Sequence, residues 1–439
     1  MSWLRGLIAA LVCLSAGAAQ ATQTLGGLPR RATLGAAVAD QAGGGVKVTA
    51  VVPDSPAARG GLAVGDVIRT IGSRPIAGAA DFVAGVKAAP APATMAFAIE
   101  RADRPQVLQI PLATAAVETD PAVDTVYGAV SVGGSLRRTL RTTPHGDAAR
   151  RPAVLIIGGI GCFSVDVATD RNDPYLRLAH DLARRGVVAM RVEKSGVGDS
   201  QGAPCLATDF KAETAGYLAA FDALQHDPRV DPSRIYLFGH SIGTLIAPAM
   251  ALDHPVAGIV VAEAVGRNWF EYELLNLRRQ LQLGGDPPDA VDAAIASKER
   301  CMHRLLIARD AEAAIEQDEP ACKIHNVYPA PASYMQQVAA VNVAAPWTRI
   351  SAPVLAIYGD ADFVTDEADH RRIVAIVNAS HPGAAALQVI AGMDHHLAQG
   401  GSPQADYNLR VVQHGAPPYE PKFGAAVTSW ICAREACLS

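Results

Sequence analysis

From residue 124 onward the chain alternates between short runs that are apolar at nearly every position and longer stretches with helical spacing. The runs are AVLIIGG, VVAMRVE, RIYLFG, AGIVVAEA, PVLAIYG and LQVIAG. Strands that are apolar on both sides need helices on both faces, so these runs predict a mostly parallel sheet in an α/β architecture. Helices are predicted at 174–185, 208–225, 242–252 and 368–377. Ahead of them, DTVYGAVSV and SLRRTLRTT read as two further strands. Residues 266–348 break the alternation and read as helical. Within them NWFEYELLNLRRQLQL sets Phe270, Leu274, Leu277 and Leu281 on one helical face. This stretch is predicted to be a cap inserted between two strands of the sheet.

Residues 31–112 follow a different pattern. VKVTAVVPDSPAARGGLAVGDVIRTIGSRPI reads as strand, loop, short helix, turn and strand. Pro56 opens the helix, Gly60 and Gly61 end it, and Gly65-Asp66 turns into the strand 67–71. Residues 81–89 suit a second helix and TMAFAIER a further strand. Ser55-Pro56-Ala57-Ala58, Gly61-Leu62 and Gly65-Asp66-Val67-Ile68 resemble a bacterial PDZ domain of the kind attached to periplasmic proteases. That resemblance implies a peptide laid along a sheet edge. Its C-terminal carboxylate would meet backbone N–H groups of the loop Thr33-Leu34-Gly35-Ala36. The alternative is a spacer or docking module with no ligand. ATAAVETDPAV, residues 113–123, reads as a linker to a domain spanning 124–439.

Composition narrows the class. A chain of 439 residues, half of them hydrophobic and 18% charged, has room for two or three domains with large cores. A net charge of −5 with no basic block argues against a nucleic-acid partner. At the N-terminus Arg5 precedes LIAALVCLSAG and then AQA at 19–21, the layout of a signal peptide cleaved after Ala21. Thr22 stands where a lipoprotein would need cysteine. No later stretch is apolar for long enough to span a membrane. The expected location is periplasmic or secreted. Of the seven cysteines, Cys13 leaves with that peptide. Six in an exported chain favour disulfides over metal. Cys432 and Cys437 share one segment, Cys301 and Cys322 bracket a helical stretch, and Cys162 is left with Cys205. No pair or cluster has zinc spacing, so no metal site is expected.

The chemistry centres on RIYLFGHSIGTLIAPAM. Gly239-His240-Ser241-Ile242-Gly243 is G-x-S-x-G between a strand and a helix, the setting of a nucleophile elbow. A serine needs a base, and the base needs an orienting acid. PVLAIYG runs into GDADF and LQVIAG into MDHH, so an acid and a histidine follow the next two core strands at the same sheet edge. With GGIG, SGVGDSQG, GHSIG, GDADFVT and GMDHHL, residues 127–430 resemble the α/β-hydrolase superfamily, most closely its esterase, lipase and serine-aminopeptidase branches.

The resemblance implies Ser241 as nucleophile, Asp362 as acid and His395 as base, with no metal or organic cofactor. Asp360, Asp366 and His396 are the alternatives, and His240 reads as a packing residue. Ile242 is one expected oxyanion donor; Ile160, or else Gly161, from GGIGCF is the other. Glu193 and the Gly196-Val197-Gly198-Asp199-Ser200 turn read as loop packing near the site. Lys194 and Asp166 lie where they could touch substrate. A Cys162–Cys205 disulfide would tie the oxyanion loop to its neighbour. The expected function is exported carboxylic-ester hydrolysis through an acyl-enzyme, with a small ester or short peptide as substrate. One alternative is a peptidase that anchors a free N-terminus on Glu271 or Glu273. The other is a catalytically silent scaffold whose PDZ-like domain binds envelope proteins.

Overall fold

The computed structural model describes residues 24–146 and 149–438. The predicted signal peptide at 1–21 lies outside the described residues. The described chain divides into two compact units, one covering Pro29–Ala115 and the other Leu25–Leu28 with Ala116 onward.

The first unit is a sheet with two helices. Its strands are β1 (Ala32–Thr33), β2 (Ala36–Asp40), β3 (Val46–Val51), β4 (Val67–Ile71), β5 (Arg74–Pro75), β6 (Ala93–Arg101) and β7 (Arg104–Thr114). They lie in the order β1-β7-β6-β4-β3-β2, with β5 on β4. Val46, Val48, Ile68, Phe97, Ile99 and Ile110 close the core. The short helix α1 (Pro56–Arg59) starts with Ser55, whose hydroxyl accepts from the Ala58 N–H at 3.2 Å. Strand β2 is an outer strand of this sheet. The Asp40 carboxylate at its end accepts from the Ala79 N–H, which opens the helix α2 (Ala79–Ala88). Leu34 and Gly35 form the loop into β2, and Gly35 has φ +79°. Their carbonyls accept from Ala57 and Val52, and Ala36 pairs with Val51.

The second unit holds an eight-stranded sheet. Its strands are β8 (Val123–Val132), β9 (Ser135–Pro144), β10 (Arg151–Ile157), β11 (Val188–Val192), β12 (Val230–His240), β13 (Gly258–Ala262), β14 (Val354–Gly359) and β15 (Ala385–Ile390). The order is β8-β9-β11-β10-β12-β13-β14-β15, antiparallel at β8-β9-β11 and parallel from β11 to β15. Helices α3 (Pro174–Arg184) and Pro421–Cys432 cover one face; α4 (Phe210–Gln225), α5 (Gly243–Asp253) and Glu367–Ser380 cover the other. This is the α/β-hydrolase fold. The chain leaves β10 for β11 on one side and reaches β12 on the other, so the loop after β10 opens at a topological switch point, where such sheets bind ligands.

Two expectations change. The stretch read as a linker is part of the second unit from Ala116 onward. Glu118 is buried and forms a two-pronged ion pair with the fully buried Arg191 of β11, at 2.9 and 2.6 Å. Burial would raise the Glu118 carboxyl, but the guanidinium outweighs it and holds the group at about 2. The second change concerns the cap helix α6 (Trp269–Gly284). Its most deeply buried residues are Trp269 and Tyr272, while Phe270, Leu274, Leu277 and Leu281 are half-buried. The predicted apolar stripe is therefore the flank of that helix.

Between β13 and β14 the chain makes α6, α7 (Pro288–Met302), a π-helical turn at His303–Ala308 and shorter helices. Three disulfides join Cys162 to Cys205, Cys301 to Cys322, and Cys432 to Cys437. No helix among the described residues is long and apolar enough to cross a membrane.

Candidate active site

Parallel register puts the ends of β12, β13 and β14 at one sheet edge: His240 pairs with Ala262, and Ala262 with Ile357. Ser241 leaves β12 with φ +53° and is held by a bond from its N–H to the Ala262 carbonyl. The turn tolerates nothing larger than glycine at its flanks. A Cβ on Gly239 would stand 2.6 Å from the Gly243 carbonyl oxygen, and one on Gly243 would stand 2.4 Å from that of Ile157.

Ser241 Oγ lies 3.2 Å from His395 Nε2, and His395 Nδ1 lies 2.9 Å from Asp362 Oδ2. Ser241 and His395 are each 8% exposed, and Asp362 is buried. Burial works against the Asp362 charge. The imidazole and the Thr365 hydroxyl, both bonded to its Oδ2, overcome this and hold the carboxyl far below its usual range. The Val364 and Thr365 N–H groups also donate to its Oδ1.

The rival residues do other work. Asp360 accepts from the Gly392 N–H, tying the acid loop to the histidine loop. Asp366 caps Glu367–Ser380 and pairs with Arg267 and Arg279. His396 is exposed, its ring edge-on to His395 at 5.7 Å.

His240 does more than pack. Tyr175 Oη accepts from the Gly159 N–H at 2.9 Å, so its own proton goes to His240 Nδ1 at 2.7 Å. Nε2 must then carry the imidazole proton, which it donates to the His395 carbonyl at 2.8 Å. Burial pushes His240 down to about 3, so the ring stays neutral near pH 7. One line of hydrogen bonds thus joins the loop after β10 to the loop that carries His395.

In the loop after β10, the Gly158 and Gly159 N–H groups are taken by the hydroxyls of Tyr217 and Tyr175. Among the described residues no acceptor faces the N–H of Ile160, Gly161 or Ile242. Lys194 is committed within the protein. It is buried, donates to the Gly159 carbonyl at 2.6 Å and meets Glu213 at 3.1 Å. Burial lowers the Lys194 pKa and raises that of Glu213, against their mutual attraction. Tyr334, from the cap helix Ala332–Ala339, donates to Glu213. Asp166 accepts from Tyr127 Oη, and Glu193 from Ser164 and the Val165 N–H, so both serve the loop rather than a substrate. Replacing Lys194 with Met would strand Glu213 and release the Gly159 carbonyl. Unfolding in urea should then show a loss of about 3 kcal/mol.

The sequence reading missed Glu263, which directly follows β13, is wholly buried and has φ +48°. Its signal was a lone acid at the end of the apolar run AGIVVAEA. Gly359 donates to its Oε1 at 2.9 Å, its Oε2 lies 3.4 Å from the Thr365 hydroxyl oxygen, and its carboxyl is within 4.8 Å of that of Asp362.

A family model described as serine aminopeptidase, S33 matches residues 168–399, more than half of the chain. The chain belongs to this family. A PDZ domain model matches residues 47–101, in the first unit. The chain is also similar to Esterase EstD of Thermotoga maritima, 26% identical over 218 residues. That match covers 50% of this chain and 48% of EstD, so the chain spans about half the length of that curated relative. Among solved structures, Est1E of Butyrivibrio proteoclasticus with bound ferulic acid is 17% identical at a TM-score of 0.42, over 61% of this chain and 90% of that one. An esterase of Exiguobacterium antarcticum is 13% identical at 0.40, over 69% and 98%.

Proposed function

We propose that this chain is an exported serine hydrolase that cleaves carboxylic esters. The observation that carries the reading is the line Ser241 Oγ–His395 Nε2, His395 Nδ1–Asp362 at 3.2 and 2.9 Å, on an elbow of left-handed backbone. Ser241 Oγ attacks the ester carbonyl while His395 Nε2 takes its proton. The imidazolium returns that proton to the leaving alcohol. Water, deprotonated by the same nitrogen, then releases the acid and frees Ser241. The Ile242 and Ile160 N–H groups, or Gly161 in place of Ile160, hold the negative oxygen.

The cap supports an apolar substrate group. Ile242 and Leu245, beside the nucleophile, share one cluster with Trp269, Met302, Leu305, Tyr334 and Met335. A chain-length series of p-nitrophenyl esters, with Ser241→Ala as control, tests the reading and sizes the acyl pocket. A control that keeps more than about 1% of wild-type turnover would overturn it. Export is supported by the N-terminal pattern together with three disulfides. On unreduced protein, iodoacetamide should add no mass at Cys162.

The family match favours a second reading, a peptidase that binds a free N-terminus. Against it, Glu271 pairs with Arg267 and Glu273 with Lys298, so each acidic candidate already has a cation. Aminoacyl amides assayed beside the esters separate the two. For the first unit we infer peptide addition along β2. Fluorescence anisotropy on the full chain should show tighter binding of free-carboxylate than of amidated peptides.

A further inference from the structure

We propose that Glu263 is a positioning residue of the triad: its carboxyl carries a proton, donates it in a hydrogen bond to the Asp362 carboxylate, and so fixes how Asp362 meets His395. The inference rests on the triad reading above, and three observations carry it.

The first is surroundings. Glu263 is wholly buried, and among the described residues no lysine or arginine pairs with it. Single ligand atoms of Glu263, Asp362 and His395 lie within 4.8 Å of one another. The other titratable groups around the pair are Asp394, Tyr358, His370, Tyr272, His240 and His396. A second carboxylate here would face Asp362 with no cation of its own, an arrangement that one proton relieves.

The second is the donor count. Glu263 Oε1 receives the Gly359 N–H. The Thr365 hydroxyl has one proton and sits much closer to Asp362 Oδ2 than to Glu263 Oε2, which is 3.4 Å away. That single proton is thus committed to Asp362, which leaves Glu263 Oε2 as the oxygen able to carry a proton of its own. Burial, then the charge of Asp362, pushes this carboxyl well above the usual range, in keeping with that count.

The third is strain. A left-handed backbone at a residue other than glycine is strained and is kept where the surroundings demand it. Here Glu263 has φ +48° and its Oε1 takes the N–H of Gly359, at the root of the loop that carries Asp362.

The test compares wild-type protein, Glu263→Gln and Glu263→Ala across pH on one ester. The glutamine amide still donates, so Glu263→Gln should keep kcat within about three-fold. Glu263→Ala should lose about 10- to 100-fold in kcat with KM unchanged, the size expected when a charged acceptor loses a hydrogen bond. In wild type, kcat should fall at alkaline pH as Glu263 ionises and sets a second negative charge beside Asp362 and His395. In Glu263→Gln that fall should be absent. Equal kcat in wild type and Glu263→Ala, or a glutamine variant as damaged as the alanine one, would overturn the proposal.

A stability measurement decides even if Glu263→Ala does not fold. The unfolded chain releases this proton above about pH 4.3, while the folded chain keeps it. Wild type should therefore lose stability as pH rises from there through the folded pKa, with a slope of one proton. Glu263→Gln should lack that contribution, and an unchanged slope would overturn the proposal. A wild-type protein with no turnover and no fluorophosphonate labelling would sink the triad reading instead, and the slope would still report the proton on Glu263.

Discussion

Ser241→Ala should lower kcat by about 10⁵- to 10⁶-fold and abolish labelling by a fluorophosphonate, with the fold intact. The hydroxyl removed makes one side-chain contact of note, the 3.2 Å bond to His395. Its loss opens no large cavity, because the change removes a single oxygen. The left-handed backbone at Ser241 is enforced by the N–H bond to the Ala262 carbonyl and by the two glycines, none of which depends on Oγ. Circular dichroism and the melting temperature should therefore match wild type. The activity that remains should come from the N–H groups of Ile242 and the loop after β10, which still hold the carbonyl oxygen for attack by water. A loss of less than about 100-fold would mean that another nucleophile does the chemistry.

The parts of this molecule that were legible in the sequence are those encoded by short-range pattern. Strands such as AVLIIGG and RIYLFG are apolar because both faces of the sheet are covered, and a run of that kind is visible in a few residues. The elbow was legible because its geometry forbids a Cβ at two fixed offsets from the serine. What stayed hidden were buried charges whose partners lie far along the chain. Glu118 looked like a linker residue because Arg191, the cation that justifies its burial, is 73 positions away. Lys194 looked like a substrate contact because nothing local announced the Gly159 carbonyl or Glu213. Glu263 went unmarked because Asp362 is reached only when β13 and β14 lie side by side. In each case the sequence shows an isolated charge and gives no local sign of the partner that buries it.

Asp362→Asn should lower kcat by about 10⁴-fold with little change in KM. The argument is one of donors and acceptors. The Asp362 carboxylate receives protons at both ends: the Val364 and Thr365 N–H groups reach Oδ1, and the Thr365 hydroxyl and His395 Nδ1 reach Oδ2. Asparagine has the same shape but brings two protons to one end. If its NH₂ faces the loop, it collides with two backbone N–H groups, and the turn that presents the acid must open. If its NH₂ faces the imidazole, His395 must offer it a lone pair at Nδ1, and the proton moves to Nε2. That nitrogen can then no longer accept from Ser241 Oγ, so the base is lost while the substrate pocket is untouched. The loss belongs in kcat for that reason. A drop of less than about ten-fold would mean that Asp362 is not the orienting acid. Glu263, the other carboxyl within reach of the imidazole, would then be the group to replace first.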